Sequence, residues 1–447
     1  VSRPGGLAIA ERAVAMALER GASQAEALVM RTDSALTRFA NDEIHQNVAG
    51  EDTVVNVRFV DGRRVGVTSG NGTHDEALAR LCDAAASIAR LQPEDSGFTS
   101  LPSPLPTPLV AGAWSEATAD ASPEARADAV AAIVAAARAE GVAAFGLCRT
   151  TSEEVSVVSS LGIAVSEPRS SAQLLTVMMG PDGGTGYAER DAVDVSTLDA
   201  GEVGREAATR ARQMADPVEL PPGDYAVVLE PYAVVDLVDM LGYLGFSALA
   251  VQEERSFFEP GRRVGSALVT LVDDASEPLG TPGSFDYEGM PTRRVTLLEA
   301  GVCREVVHDA QTAAREDLVS TGHGLPAPNP WGPFPLHMVM SPGATPREVL
   351  VEGLERGLLV TRFHYTNVVH PKQAIITGMT RDGLFLVEDG RIRRPVRNLR
   401  FTQSYLDALA GVEAVSAERI AVEGFLGTAV VPALRISSFS FTGATEH

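Results

Sequence analysis

The chain has 447 residues, too many for one ordinary hydrophobic core, so two domains are the expectation and three are allowed. Hydrophobic residues at 45% and charged residues at 21% are globular proportions, and a formal charge of −22 argues against a nucleic-acid or anionic-membrane surface. No apolar run reaches the ~18 residues of a membrane span, and the opening VSRPGG is no charged-then-apolar leader. Three scattered cysteines, Cys82, Cys148 and Cys303, form no CxxC pair and suit a reducing, cytoplasmic setting.

Taken in order, Leu7–Arg20 is an alanine-rich amphipathic helix stopped by Gly21. Alternating stretches follow at Ala25–Phe39, Thr53–Val60 and Arg63–Thr68, the last two flanking the hairpin signal Asp61-Gly62. A helix is expected over His74–Arg90, with Thr73 and Glu76 as a capping box. Residues 92–112, rich in proline, serine and threonine, read as an extended connector. Beyond it a helix runs from Pro123 to Gly141, strands cover Phe145–Thr150, Glu154–Val165 and Gln173–Met179, and a helix spans about Gly201–Asp216. Helix, strands, helix thus occurs twice, a weak sign of internal duplication. The glycine-rich GPDGGTG, 180–186, has no P-loop lysine and reads as a hairpin tip.

Leu220-Pro221-Pro222-Gly223 breaks both helix and strand, so domains are placed at 1–220 and 221–447. A strand at Tyr225–Leu229 then leads into the most apolar helix of the chain, Val234–Ala250. It carries too few polar residues to lie on a surface and is expected inside a core. The remainder is mostly strand: Leu268–Val272, Arg293–Leu298, His337–Met340, Leu359–Tyr365, Ala374–Met379, Leu384–Glu388 and Ala433–Phe441. Asp382-Gly383 and Asp389-Gly390 read as turns, and Phe401–Leu409 as a short helix. Another helix is expected with Thr345 as cap, Pro346 in its first turn, Glu348 completing the box and Gly357 closing it. The fold class is therefore α+β: a mixed N-terminal domain, then a curved, mostly antiparallel, barrel-like sheet around a buried helix.

Few residues advertise chemistry. Asp236 and Asp239 lie three apart and share a helix face, where they could act as acid and base or bind a metal; the plainer reading gives Asp236 to the helix dipole and Asp239 to a nearby donor. His364 and His370 are six apart, so a regular strand puts both on one face, and a zinc site would need a third ligand such as His308 or His323. No serine lies in GxSxG and no cysteine has a histidine at nucleophile spacing.

Several longer stretches together are more specific. LTRFANDEIHQN (36–47), VNVRFVDGRRVGV (55–67), HDAQTAAREDLVSTGHG (308–324), the run from Gly357 to Ser404 and the ending FSFTGAT resemble the TldD/PmbA family, almost end to end. The resemblance implies an α+β N-terminal domain and a curved antiparallel C-terminal sheet. It further implies a heterodimeric metallopeptidase of one TldD-type and one TldE-type subunit, acting on small or unfolded peptides or natural-product precursors. In TldD-type subunits the zinc is held by HExxxH on the central helix and by a cysteine near the C-terminus. The best register lays Val238, Asp239 and Tyr243 over that motif; no histidine occurs from 75 to 307, and no cysteine follows Cys303. The expectation is a TldE-like chain without its own metal, beside a zinc-bearing TldD-like partner. His323, Arg362, His364 and Tyr365 are the candidates for lining a peptide cleft. Two alternatives stand beside it: a self-sufficient hydrolase with a relocated metal site, and a homodimeric peptide-binding protein.

Overall fold

Six strands make the first sheet of the computed structural model, which describes residues 5–444. They are β1 (Gln24–Ala40), β2 (Glu43–Asp61), β3 (Arg64–Gly70), β4 (Ala143–Ser159), β5 (Ala164–Met179) and β6 (Thr185–Ala192), in the spatial order β3-β2-β1-β4-β5-β6. Every neighbouring pair is antiparallel. β1 and β2 run much further than the apolar alternation suggested. Asn41 and Asp42 both take positive φ, 51° and 66°, which is the backbone a tight two-residue hairpin requires. The far end, Glu43–Asp52, is mostly exposed, with Ile44 and Val48 among the exposed residues, so no buried apolar face marks it.

Helices Gly6–Glu19 and Asp75–Leu91 cover the half formed by β1–β3, burying Ile9, Ala13, Leu78 and Ala85 against Val29, Val57 and Phe59. Helices Pro123–Glu140 and Ala200–Gln213 cover the other half, burying Ile133, Val203 and Ala207 against Leu174 and Met178. Helix, three strands, helix therefore occurs twice, and the halves meet at the β1–β4 pair. Each half seats an alanine helix on a glycine. A Cβ on Gly66 of β3 would lie 2.0 Å from the Ala85 carbonyl, and one on Gly186 of β6 would lie 2.1 Å from the Ala207 carbonyl.

The cap on Asp75–Leu91 differs from expectation: His74 is the N-cap and no side chain caps the end. Arg12 ties the start of the helix to the first one, donating to the Thr73 carbonyl at 2.9 Å and to Asp75 at 2.7 Å. The proline-rich stretch has no helix or strand between 92 and 115, yet Phe98 and Leu101 are buried against Val60. GPDGGTG does link β5 to β6.

The second sheet begins at β7 (Gly223–Leu229) and continues with β8 (Leu271–Asp273), β9 (Val295–Glu299), β10 (Val302–Cys303), β11 (Met338–Met340) and β12 (Arg356–His370). It is completed by β13 (Ile375–Glu388), β14 (Arg391–Pro395), β15 (Leu399–Ser404), β16 (Val412–Glu423) and β17 (Thr428–Ala444). All pairs are antiparallel except β7–β12 and β11–β17. Because β7 pairs with both β12 and β17, the path β17-β15-β13-β12-β7 closes on itself.

Against this sheet lies the central helix, Pro231–Gly245, in contact with β12, β16 and β17. It is shorter than its periodicity implied. Gly245 packs so tightly that a Cβ would sit 2.1 Å from the Phe257 ring, and after Phe246 the chain starts a separate short helix, Ala248–Gln252. Only Asp236, Met240 and Tyr243 are partly exposed along its length, at the i, i+4, i+7 spacing of one stripe.

Other boundaries move for visible reasons. Asp382-Gly383 is a bulge inside one continuous strand, β13, with φ of 56° and 138°. Phe401 belongs to β15, and the helix starts only at Tyr405, capped by the Ser404 side chain. The helix Arg347–Glu352 follows Pro346 and receives its cap from Glu418 of β16, which accepts from the Arg347 amide at 3.0 Å; Gly353 ends it, while Gly357 lies in β12. No helix among the described residues is long and apolar enough to cross a membrane.

Candidate functional site

The partly exposed stripe of the central helix opens into a cavity of about 600 Å³ between the two sheets. β6 contributes Tyr187 and Glu189, the helix contributes Tyr232, Asp236, Asp239 and Tyr243, and β12 contributes Arg362 and Tyr365–Val368. The end of β16 and the loop after it close the wall with Val422–Phe425. Four carboxylates thus face one arginine. That arginine is already engaged: Arg362 Nε donates to Asp382 Oδ2 at 2.6 Å, and its guanidinium lies 4.3 Å from the Tyr187 ring centroid. Asp382 is 2% exposed and reaches Arg362 from the β13 bulge.

The two helix carboxylates are held differently. Asp236 accepts from the Tyr405 hydroxyl at 2.6 Å and from Thr366 Oγ1 at 2.7 Å; burial, only partly offset by these donors, pushes its pKa up to about 6. Asp239 is 2% exposed, and its Oδ2 accepts from the Phe425 amide. Its Oδ1 makes no hydrogen bond of its own, and burial, with the Asp236 charge adding to it and the Phe425 and Leu426 amides only partly offsetting it, pushes the pKa up to about 7. Only glycine fits at 424, where a Cβ would stand 2.1 Å from Asp239 Oδ2. The nearby-donor reading of Asp239 describes half of this carboxylate.

A second acidic group lies where the sheets meet. Glu189, Asp191 and Glu423 each place an oxygen within 4.8 Å of the others. Gln173 Nε2 bridges two of them, donating to Glu189 at 2.7 Å and Glu423 at 2.6 Å. Arg149 also donates to Glu423, the Tyr187 hydroxyl to Glu189, and the Glu423 amide to Asp191 at 2.9 Å. Burial and the neighbouring Glu189 charge hold Asp191 well above the usual carboxylate range, and a hydrogen bond links the two acids. These oxygens are committed to donors already. No histidine or cysteine lines the cavity among the described residues, so its walls do not fit the nitrogen- and sulfur-rich set that zinc favours.

Of the residues singled out from sequence, Arg362, Tyr365, Asp236, Asp239 and Tyr243 line this cavity. Tyr365 is a rim residue, 71% exposed and held at a φ of 52°. The other candidates lie elsewhere. His323 is 2% exposed, with Nε2 2.8 Å from Asp273 and Nδ1 2.8 Å from Thr321, so it is a locked core side chain and not a cleft residue. His364 does not line the cavity; its ring lies edge-on to Tyr365, and burial and the nearby Arg381 and Arg362 lower its pKa. Val238 is wholly buried in the core, so only two of the three motif positions face the cavity.

The strand-face argument for His364 and His370 also fails. Register shifts interrupt β12 between His364 and Asn367 and again between Val368 and His370, which breaks the two-residue alternation. His370 instead accepts from the Gln373 amide at 3.3 Å. Among the described residues, no group of three or more whose ligand atoms lie within 4.8 Å of one another contains His308, His323, His364 or His370.

Sequence reasoning missed Tyr187, Glu189, Tyr232 and Glu423. Tyr187, Glu189 and Asp191 do alternate along β6, a legible signal for one polar strand face. Nothing local reveals that this face meets β16 from the other sheet.

Comparisons with known proteins bear on this geometry. Residues 222–443 match the model of the PmbA/TldA metallopeptidase C-terminal domain, and residues 25–89 match that of PmbA/TldA metallopeptidase domain 1. Together the two cover well over half of the chain. A metalloprotease of Methanocaldococcus jannaschii is 27% identical over 232 residues, half of each chain. A metalloprotease TldD homolog of Buchnera aphidicola is 25% identical over 158 residues, 34% of this chain and 32% of that protein. The crystal structure of TldE from Thermococcus kodakarensis superposes with a TM-score of 0.89 at 21% identity, covering 97% of this chain and 99% of that one. The fold is shared over nearly the whole length.

Proposed function

The chain belongs to the PmbA/TldD metallopeptidase family, and on that premise we propose that it is the TldE-like, non-catalytic subunit of a heterodimer with a zinc-bearing TldD-like partner. The substrate class is small or unfolded peptides, or peptide and amide natural products, handled in the cytoplasm. Three buried cysteines, none in a disulfide, suit that reducing compartment.

One observation carries the reading. β12 pairs with β7 only over Gly357–Val360, so beyond Val360 it has β13 on one side and no β7 partner on the other. This unpaired edge runs through Tyr365–Val368, the residues that form the cavity wall. An extended peptide can add to such an edge through main-chain hydrogen bonds, which tolerate varied side chains. In this arrangement the chain positions peptide and the partner supplies hydrolysis, because none of the cavity residues offers a zinc ligand set or an activated nucleophile.

Co-expression with a family member carrying HExxxH tests the reading. A stable complex is expected, whose peptide hydrolysis falls at least tenfold when this chain is left out. Hydrolysis by the partner alone at the rate of the pair would overturn it.

A further inference from the structure

The cavity has a chemical bias that a general peptide edge does not need. Its wall residue Asp239 is 2% exposed, and Oδ1 has no hydrogen-bond partner in the protein. The Leu426 amide also approaches this carboxylate, yet Oδ1 itself, out of contact with solvent in this structure, is left without a donor, and buried acceptors ordinarily find one. Two aromatic rings stand beside it. Tyr243 is one turn further along the same helix, and Phe425 donates its amide to the other oxygen of Asp239; their rings meet edge-on at 5.8 Å. Phe425 is 70% exposed and marks the outer side of this corner, while Asp239 lies on its inner side. The cavity already accepts one organic cation on an aromatic ring, the Arg362 guanidinium over Tyr187, and Asp382 neutralises that cation.

We propose that this corner binds the protonated amino group of a peptide, with Asp239 Oδ1 as acceptor and the rings of Tyr243 and Phe425 beside it. An ammonium brings three donors and a charge that favours aromatic faces, which is what one open carboxylate oxygen among rings can use. A metal ion is the poorer fit. Among the described residues, the one compact carboxylate group, Glu189, Asp191 and Glu423, is occupied by Gln173, Arg149 and Tyr187, whose hydrogen bonds an ion would have to break. The inference rests on the peptide-edge reading, because the free edge of β12 adjoins the same cavity and would carry the rest of the chain past Asp239.

Titration calorimetry on the full chain, alone and with its partner, tests this with three tetrapeptide amides and alaninamide. The peptides are tetra-alanine with a free N-terminus, its N-acetylated form, and an N-acetylated form with one lysine. At least one amine-bearing peptide is expected to bind tenfold or more tighter than the acetylated tetra-alanine, and which one does identifies N-terminal or lysine recognition. Asp239→Asn should abolish that preference and leave the acetylated peptide's affinity unchanged. Glu259→Gln, at an exposed side chain that does not line the cavity, should preserve it and controls for general loss of acidity. Equal binding of amine-bearing and acetylated peptides would overturn the amine site while leaving the peptide edge standing. Binding of alaninamide, sensitive to Asp239→Asn, with no binding of any peptide would keep the amine site and overturn the edge. Failure of every amine probe, or tight zinc binding lost on Asp239→Asn, would also overturn the inference.

Discussion

Asp236 and Asp239 are three residues apart on one helix, and burial works on both in the same direction. A carboxylate whose folded pKa is raised is protonated in the native chain at a pH where the unfolded chain has already ionised. The native state then holds more protons, so stability falls as pH rises. For Asp239 the window runs from the ordinary carboxylate value near ~4 up to about 7. Asp239→Asn removes this cost, and its amide oxygen can still accept from the Phe425 amide. The variant is expected to match the parent chain at pH 4 and to exceed its stability at pH 8 by at least ~1 kcal/mol, since each pKa unit is worth about 1.4 kcal/mol. Urea unfolding at the two pH values measures the difference; identical slopes of stability against pH would contradict the burial argument.

β12 and β13 show how an element can be legible and still misread. Their apolar alternation identified both as strands, because half-buried strands write a two-residue period. What the period does not write is a bulge. Asp382-Gly383 looks like any hairpin turn, since positive φ suits both. Which of the two forms depends on what lies opposite: here the register slips between Val360 and Arg362, and Asp382 is turned inward to meet Arg362. Arg362 and Tyr365 were within reach of sequence reasoning as polar and aromatic residues of a well-matched stretch. His323 and His364 were equally plausible on that criterion, and only burial and bulge geometry separate them. The missed acids of β6 and β16 depend on contacts about 230 residues apart, such as that between Asp191 and Glu423.

The Arg362–Asp382 pair yields a test at the same scale. Arg362→Ala leaves a carboxylate that is 2% exposed with only the more distant Arg381, 4.0 Å away, and removes a ring contact at Tyr187. A loss of about 3 kcal/mol is expected, the range found when one partner of a buried pair is removed. Adding Asp382→Asn should recover part of it, because asparagine tolerates the left-handed backbone at that position. No recovery in the double variant would mean that the arginine acts through packing alone.

At the scale of the molecule, two sheets of different origin in the chain combine to form one cavity. The first sheet contributes its last strand, the second contributes a free strand edge and the helix beneath it, and neither sheet alone encloses the space. Fold class was readable because composition, helix spacing and strand alternation are all local signals. The proposed division of labour with a partner is not a local property, and the proposal rests on what the cavity's side chains can and cannot do. The most direct measurement is native mass spectrometry of this chain with an HExxxH-bearing relative, with zinc counted per complex. One zinc per heterodimer, unchanged by His364→Ala and Asp239→Asn in this chain, is the expected result. Stoichiometric zinc on this chain alone, or no heterodimer at all, would contradict the account.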